Sequence, residues 1–295
     1  MKTILLLVFT SLLWTQNNDG NTANTKTTTE IINETEARNM KTVETFIKAV
    51  NSRDIETVKK LVYPDYIQHN PFIPTGREAF INLFPVLEEH NTYAETVRIF
   101  ADGDFVVLHN IWHNATPFGA PKMVSFDVLR IDENGLIAEH WDALTPFVEE
   151  TASGRSQTDG PTTITDVDKK EANKALAQSI IEDVLMGKNP SKITEYISSE
   201  KYHQHNPEIK DGLSGIVEAV EYLTAQNNMF QYKKIHKILG AGNFVLTISS
   251  GEWSGKEQVF YDLFRFEDNK AIEHWDVIQP IPTENLANEN TMLGF

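Results

Sequence analysis

Cysteine is absent from all 295 residues, which removes disulfides, thiol nucleophiles and thiolate metal sites together. A lipid-anchored bacterial protein also needs a cysteine at its cleavage point, so a lipoprotein reading would require that residue to have been lost near Thr15-Gln16. Basic residues are scarce. Twenty-six Lys and Arg stand against 42 Asp and Glu, a formal charge of −16, and so acidic a chain repels phosphate backbones and anionic lipid alike. Nucleic acid is therefore not an expected partner. The apolar run Ile4 to Trp14, behind Lys2, is too short to span a bilayer and has the length of an export-signal core. There is no phosphate-cradling glycine loop and no Gly-x-Ser-x-Gly elbow.

What is present is an internal echo. Glu139-His140-Trp141-Asp142 returns as Glu273-His274-Trp275-Asp276, and Gln68-His69-Asn70-Pro71 returns as Gln204-His205-Asn206-Pro207. Two polar motifs that keep their order and nearly their spacing indicate a duplicated domain, and the length suits two domains. The expected organisation is an export signal over 1–15, a flexible Asn- and Thr-rich leader over 16–33, domain 1 over 34–148, a Gly- and Ser-rich linker over 149–168, domain 2 over 169–282 and a loose tail over 283–295. Export implies a secreted or periplasmic protein.

Within domain 1, Met40, Val43, Phe46, Ile47 and Val50 form a helical stripe, and a short helix follows Asp54 as N-cap. Asn70 precedes Pro71 and runs extended. A third helix spans Gly76 to His90 with a break at Pro85. The period then becomes strand-like over 96–100, 105–112, 123–131 and 136–144. Domain 2 repeats the programme, with helices near 170–186, 191–197 and 214–226 and strands near 233–239, 244–250, 258–266 and 271–278. Helices first and strands afterwards make an α+β fold.

Asn134-Gly135 predicts a two-residue hairpin turn, which sets Asp127 opposite Asp142, Leu129 opposite His140 and Arg130 opposite Glu139. A three-residue loop at 268–270 sets Asp262 against Asp276, Phe264 against His274 and Arg265 against Glu273. Strand alternation places His140 and Asp142 on one face and Glu139 and Trp141 on the other. Arg130 with Glu139 reads as an exposed structural ion pair, and Trp141 and Trp275 as core or interdomain packing. Two directly opposed aspartates repel, and in an apolar hollow one carboxyl is pushed up and keeps its proton while the other serves as a base. That suits proton transfer at carbon beside a carbonyl, although a hydrogen-bonded Asp pair at the mouth of the sheet is the structural alternative. His69 and His205 either enter the same hollow or bond to backbone. His109 and His113, four apart in a strand, raise a metal site in domain 1 that has no counterpart in domain 2.

These motifs resemble the SnoaL-like polyketide cyclase family of the nuclear-transport-factor-2-like superfamily, over roughly 36–147 and 171–282. The resemblance rests on Tyr66-Ile67-Gln68-His69-Asn70-Pro71 with Gly76, Asp127-Val128-Leu129-Arg130 and Glu139-His140-Trp141-Asp142, and on their second-half counterparts. It implies two tandem cone-shaped α+β barrels, each with three helices on a curved, mostly antiparallel sheet around a pocket. It also implies acid-base chemistry without metal or organic cofactor, with Asp142 or Asp127, His140 and His69 as site residues, and Asp276 or Asp262, His274 and His205 as their twins. The expected ligand is a small hydrophobic or carbonyl compound, turned over by an aldol, cyclase or isomerase type of reaction. The rival reading is a non-catalytic binding protein of the same fold. Such domains often dimerise through their sheets, which implies an intramolecular pseudo-dimer.

Overall fold

A computed structural model describes residues 28–295. The export signal and most of the expected leader lie outside these residues, but the first helix begins at Thr28, so the last part of that leader is helical rather than flexible. This helix, α1 (Thr28–Ser52), buries Val43, Phe46, Ala49 and Val50. The chain turns at Arg53, whose φ is +59°. Asp54 then caps α2 (Ile55–Leu61) by accepting from the Thr57 amide, as its place before the apolar run predicts. The third helix is broken into α3 (Arg77–Ile81) and α4 (Phe84–Glu89). Pro85 sits in the first turn of α4, where its missing N–H leaves no bond unmade.

Strands β1 (Val62–Gln68), β2 (Tyr93–Asp102), β3 (Phe105–His113), β4 (Lys122–Ile131) and β5 (Ile137–Pro146) form one sheet in the order β1-β5-β4-β3-β2. All pairs are antiparallel except β1 with β5. The second half repeats it. Helix α5 (Lys170–Ser179) continues as a π-helical stretch over Ile180–Leu185, followed by α6 (Ile193–Tyr196), β6 (His203–Gln204) and α7 (Gly212–Ala225). Strands β7 (Gln231–Ala241), β8 (Phe244–Trp253), β9 (Lys256–Glu267) and β10 (Lys270–Pro280) complete a sheet ordered β6-β10-β9-β8-β7. The fold is two tandem cone-shaped α+β domains.

The expected register is present in both copies: Asp127 faces Asp142 and Asp262 faces Asp276. The expected turns are not. In domain 1 the Asp132 amide bonds Leu136 O and Gly135 takes φ +82°, closing a three-residue loop where two residues were expected. In domain 2 Asp268 and Asn269 both take positive φ in a two-residue turn between Glu267 and Lys270. A bulge lies between Ile137 and Glu139 and another between Ala271 and Glu273. Each adds one residue two positions before the histidine, so two misread turns end on the predicted pairing.

Each sheet has two buried faces. The concave face of the first packs Leu108, Leu129 and Ile131 on α1, α2 and α4, and that of the second packs Val245, Phe260 and Phe264 on α5 and its π extension. The convex faces pack on each other: Phe126, Val128, Trp141 and Ala143 share one cluster with Leu246, Tyr261, Leu263 and Trp275. Each fully buried aromatic there contributes roughly 2 kcal/mol or more.

The segments after each domain are exchanged. The linker crosses to domain 2, where the Ala152 amide bonds Pro207 O and Trp275 Nε1 donates to Asp159 O. Residues 283–295, expected to be loose, dock on domain 1. The Ala287 amide bonds Pro71 O, Asn288 donates to the carbonyls of Asn70 and Ile73, Met292 is 2% exposed, and Phe295 stacks on Trp141 with centroids 4.5 Å apart. Polar composition suggested a free tail, but Asn288 and Asn290 are spent on backbone carbonyls of domain 1.

Arg98 of β2 fastens the linker. Buried between the domains with its guanidinium 4.2 Å over the Trp275 ring, it donates to the carbonyls of Thr158, Asp159 and Pro161. Replacing it with methionine leaves the inward carbonyls of Thr158 and Pro161 without a donor, while Asp159 O keeps Trp275 Nε1. Arg98→Met is expected to lower stability by roughly 3 kcal/mol, read as a fall in the urea midpoint by tryptophan fluorescence, and an unchanged midpoint would show that the linker is held by other means.

Candidate functional site

The alternation of β5 and β10 sorts the repeated motif. His140 and Asp142 point into the concave hollow of domain 1 with Asp127 opposite, and His274 and Asp276 do so in domain 2 with Asp262. His140 Nε2 lies 3.1 Å from Asp127 Oδ1, and His274 Nε2 lies 3.1 Å from Asp262 Oδ1. Six of the eight expected site residues thus gather as two clusters of three.

His69 and His205 do not join them. Each stands one residue out of phase, on the convex side. His69 stacks on Trp141 at 4.5 Å, with Nε2 on Glu139 Oε1 at 2.9 Å and Nδ1 on Thr291 O at 2.6 Å. His205 repeats this with Trp275, Glu273 and Ser156 O. Of the two readings left open for these histidines the structure takes the bond to backbone, and their place among the candidate site residues is corrected. The Arg130 and Glu139 pair is corrected as well: it is not an exposed ion pair but part of a His69, Glu139 and Arg130 network, and its twin carboxylate Glu273 is 1% exposed. Burial works against the charge on Glu139 and Glu273, but the bonds from His69 and Arg130, and from His205 and Arg265, hold both below the usual carboxylate range.

The residues flanking each histidine enter the hollow in its place. Asn70 Nδ2 donates to both oxygens of Asp142, at 3.0 and 2.9 Å, and Asn206 Nδ2 donates to Asp276 Oδ2 at 2.7 Å. Gln68 Oε1 accepts from the Asn70 amide at 2.9 Å while its Nε2 donates to Tyr66 Oη. That fixes the amide's orientation, so His140 Nδ1–H donates to Gln68 Oε1, and the Asn206 amide orients Gln204 against His274 in the same way. Nε2 is left as the nitrogen that exchanges a proton with aspartate. These four residues were missed, although the signal was in Gln-His-Asn-Pro itself: in an extended segment, positions 68 and 70 share a face that 69 does not.

The two clusters differ around the first aspartate. Asp127 Oδ2 accepts from Asn110 and Ser125, whereas Asp262 accepts from Tyr232 Oη at 3.0 and 3.2 Å. A cavity of about 390 Å³ opens beside the domain 2 cluster, lined by Asp262, His274 and Asp276 and by apolar side chains of α7 and the sheet such as Ile216, Leu223 and Phe260. His109, raised as a metal ligand, stacks on Phe126 on the convex side and its Nδ1 faces Arg98 at 3.2 Å, while His113 pairs with Glu95 near the surface. Neither approaches Asp127.

Burial, reinforced by the charge of the opposed aspartate, pushes Asp142 and Asp276 up to about 6, against the pull of the neighbouring histidine and asparagine. Burial disfavours the charged rings of His140 and His274, yet the bonded and neighbouring carboxylates outweigh it and hold both above the ordinary imidazole value. One ligand atom from each of Asp127, His140 and Asp142 lies within 4.8 Å of the others, as in the domain 2 cluster, so each could hold a cation by distance. Asn70 donates to both oxygens of Asp142, however, and Tyr232 to both oxygens of Asp262, so these carboxylates are already engaged as acceptors.

Among known proteins, the family model described as SnoaL-like domain matches residues 43–140. No curated protein matches the chain. Among solved structures, IdmH from Streptomyces antibioticus is 24% identical over 36% of this chain and 91% of its own, with a TM-score of 0.31. An LEH-like epoxide hydrolase from M. tuberculosis is 18% identical over 37% of this chain and 84% of its own, with a TM-score of 0.31. A steroid delta-isomerase from Pseudomonas aeruginosa is 19% identical over 38% of this chain and 82% of its own, again with a TM-score of 0.31. Over residues 43–140, from α1 into β5, the chain is thus similar to the SnoaL-like domain family.

Proposed function

We propose that the protein carries out cofactor-independent acid-base chemistry on a small carbonyl compound, in the cavity of domain 2. The observation that carries this reading is Asp276, a carboxyl raised to about 6 in the wall of an apolar cavity of about 390 Å³. Asn206 bonds its Oδ2, and no described residue is bonded to Oδ1. The carboxylate would remove a proton from carbon beside a bound carbonyl, and the carboxylic acid so formed would return it at another position. Burial works against a charge on His274, but Asp262 and Asp276 favour its charged form, and a ring so favoured supplies positive charge close to the developing enolate. Small apolar molecules suit the lining.

Domain 1 fits a supporting role. Asp142 has both oxygens taken by Asn70, and Asp127 is taken by His140, Asn110 and Ser125. The paired convex sheets support reading the two halves as an intramolecular pseudo-dimer in which domain 1 backs domain 2. Export to the periplasm or medium is the reading that residues 1–15 support. No helix among the described residues is long and apolar enough to cross a membrane.

The raised carboxyl makes a prediction whose sign can be worked out. A proton bound more tightly in the folded than in the unfolded chain stabilises the fold below the ordinary aspartate value, and that contribution fades as pH rises to about 6. A base of this kind acts once ionised, so activity should rise through about pH 6 to a plateau. The carboxyl carbon of Asp276 should titrate there by NMR, and ionisation near 4 would remove the mechanism. Asp276→Asn is expected to lower turnover of a carbonyl substrate by about a hundredfold or more, and Asp142→Asn to change it little, assayed on a panel of ketones and aldehydes. Equal loss in both variants would contradict the division between domains.

A further inference from the structure

The strap that closes each domain's hydrogen-bond network comes from the other domain, and the network runs without a break to the clustered histidine. In domain 2 it begins at Arg155 of the linker. Arg155 Nε and Nη2 donate to the Asp211 carboxylate at 2.7 to 3.0 Å. Asp211 Oδ1 accepts from the Gln204 amide at 2.9 Å, and burial's tendency to raise this carboxyl is outweighed by Arg155, which holds it below the usual range. The Gln204 side chain then accepts from His274 Nδ1, and His274 Nε2 meets Asp262. The Asn206 amide bonds the same Gln204 oxygen, and Asn206 in turn holds Asp276.

Domain 1 has the same chain of contacts built from different residues. Asn290 of the C-terminal segment donates to Gln68 O and to Thr75 Oγ1, and Thr75 Oγ1 accepts from the Gln68 amide. Gln68 then accepts from His140, which meets Asp127. Asn290 and Arg155 occupy equivalent places in the two straps, and so do Thr75 and Asp211 in the loops they hold. Two unlike pairs performing one task at one place is the observation that singles them out. In domain 2 the pair is ionic and grips with two nitrogens, which fixes direction as well as distance.

We propose that Arg155 is a positioning residue for the domain 2 cluster, supplied by the segment that leaves domain 1. It sets Asp211, Asp211 sets the Gln204 backbone, and the Gln204 amide dictates which ring nitrogen of His274 holds its proton against glutamine and which faces Asp262. The loop held this way, 204–211, also carries Asn206 and contributes Glu208, Ile209 and Lys210 to the cavity wall. The functional weight of this inference rests on the reading that the domain 2 cluster is the working one. Its physical content does not, since it concerns a ring proton and not turnover.

The test uses the full chain with ¹⁵N-labelled histidine. In Arg155→Ala the His274 Nδ1 proton is expected to exchange with water about tenfold faster, and its Nδ1 signal to move toward that of a water-exposed ring, while His140 stays as in the unaltered protein. Asn290→Ala should do the reverse, disturbing His140 and sparing His274. Arg155→Lys keeps the charge without the two-nitrogen grip and should fall between. An unchanged His274 in Arg155→Ala overturns the proposal, and so does a change of equal size in both rings, which would mean general loosening. If Arg155→Ala does not fold, Asp211→Asn keeps the acceptor for the Gln204 amide while removing the ion pair, and the same two outcomes decide. A failure of Asp276→Asn to affect turnover would leave these ring signals as predicted, so the two readings fail separately.

Discussion

Strands β5 and β10 are buried on both faces, and most of the structure follows from that constraint. A strand with one wet face can leave its polar residues to solvent, but here each polar side chain must meet a partner inside the protein. In Glu-His-Trp-Asp the odd members face the other domain and the even members face the local helices. Glu139 and Glu273 are therefore met by an arginine and a histidine, and His140 and His274 by an aspartate and a glutamine. Trp141 and Trp275 supply the apolar bulk that makes the interdomain face worth burying. The four-residue echo is thus two interleaved patterns serving two interfaces.

Much of this was legible in the sequence, and the losses have physical causes. Period and duplication are local, repeated signals, so the fold class and the element order followed from them, whereas the opposition of Asp127 to Asp142 was reached through a turn of the wrong length that a bulge offsets. The turns were misjudged because Asn-Gly and Asp-Asn-Lys each suit more than one loop length, and a bulge elsewhere in the strand is invisible to turn chemistry. His69 was left open between the hollow and a backbone bond because it was weighed as a single residue and not by parity with Gln68 and Asn70. The buried state of Glu139 and the docking of Asn288 and Asn290 could not be read locally, since both depend on a segment more than 140 residues away in the chain.

The two halves share a scaffold but differ in what faces the aspartates. Asn110 and Ser125 fill the space beside Asp127, while the corresponding places in the second sheet are Ser249 and Phe260, with Tyr232 reaching Asp262 from β7. Exchanging two small polar donors for one phenol keeps the carboxylate satisfied at the wall of the domain 2 cavity. The paired convex sheets pack the back of the second hollow whichever residues line its front.

The reciprocal straps also set an order of maturation. The segment that finishes domain 2 is synthesised before domain 2 itself, so Arg155 and Asp159 are already waiting when β9 and β10 pair. The segment that finishes domain 1 follows domain 2, so His69 and Trp141 receive their partners only after the whole second domain has been synthesised, at 5 to 20 residues per second roughly ten seconds after β5 was made. The first domain to be translated is the last to be completed.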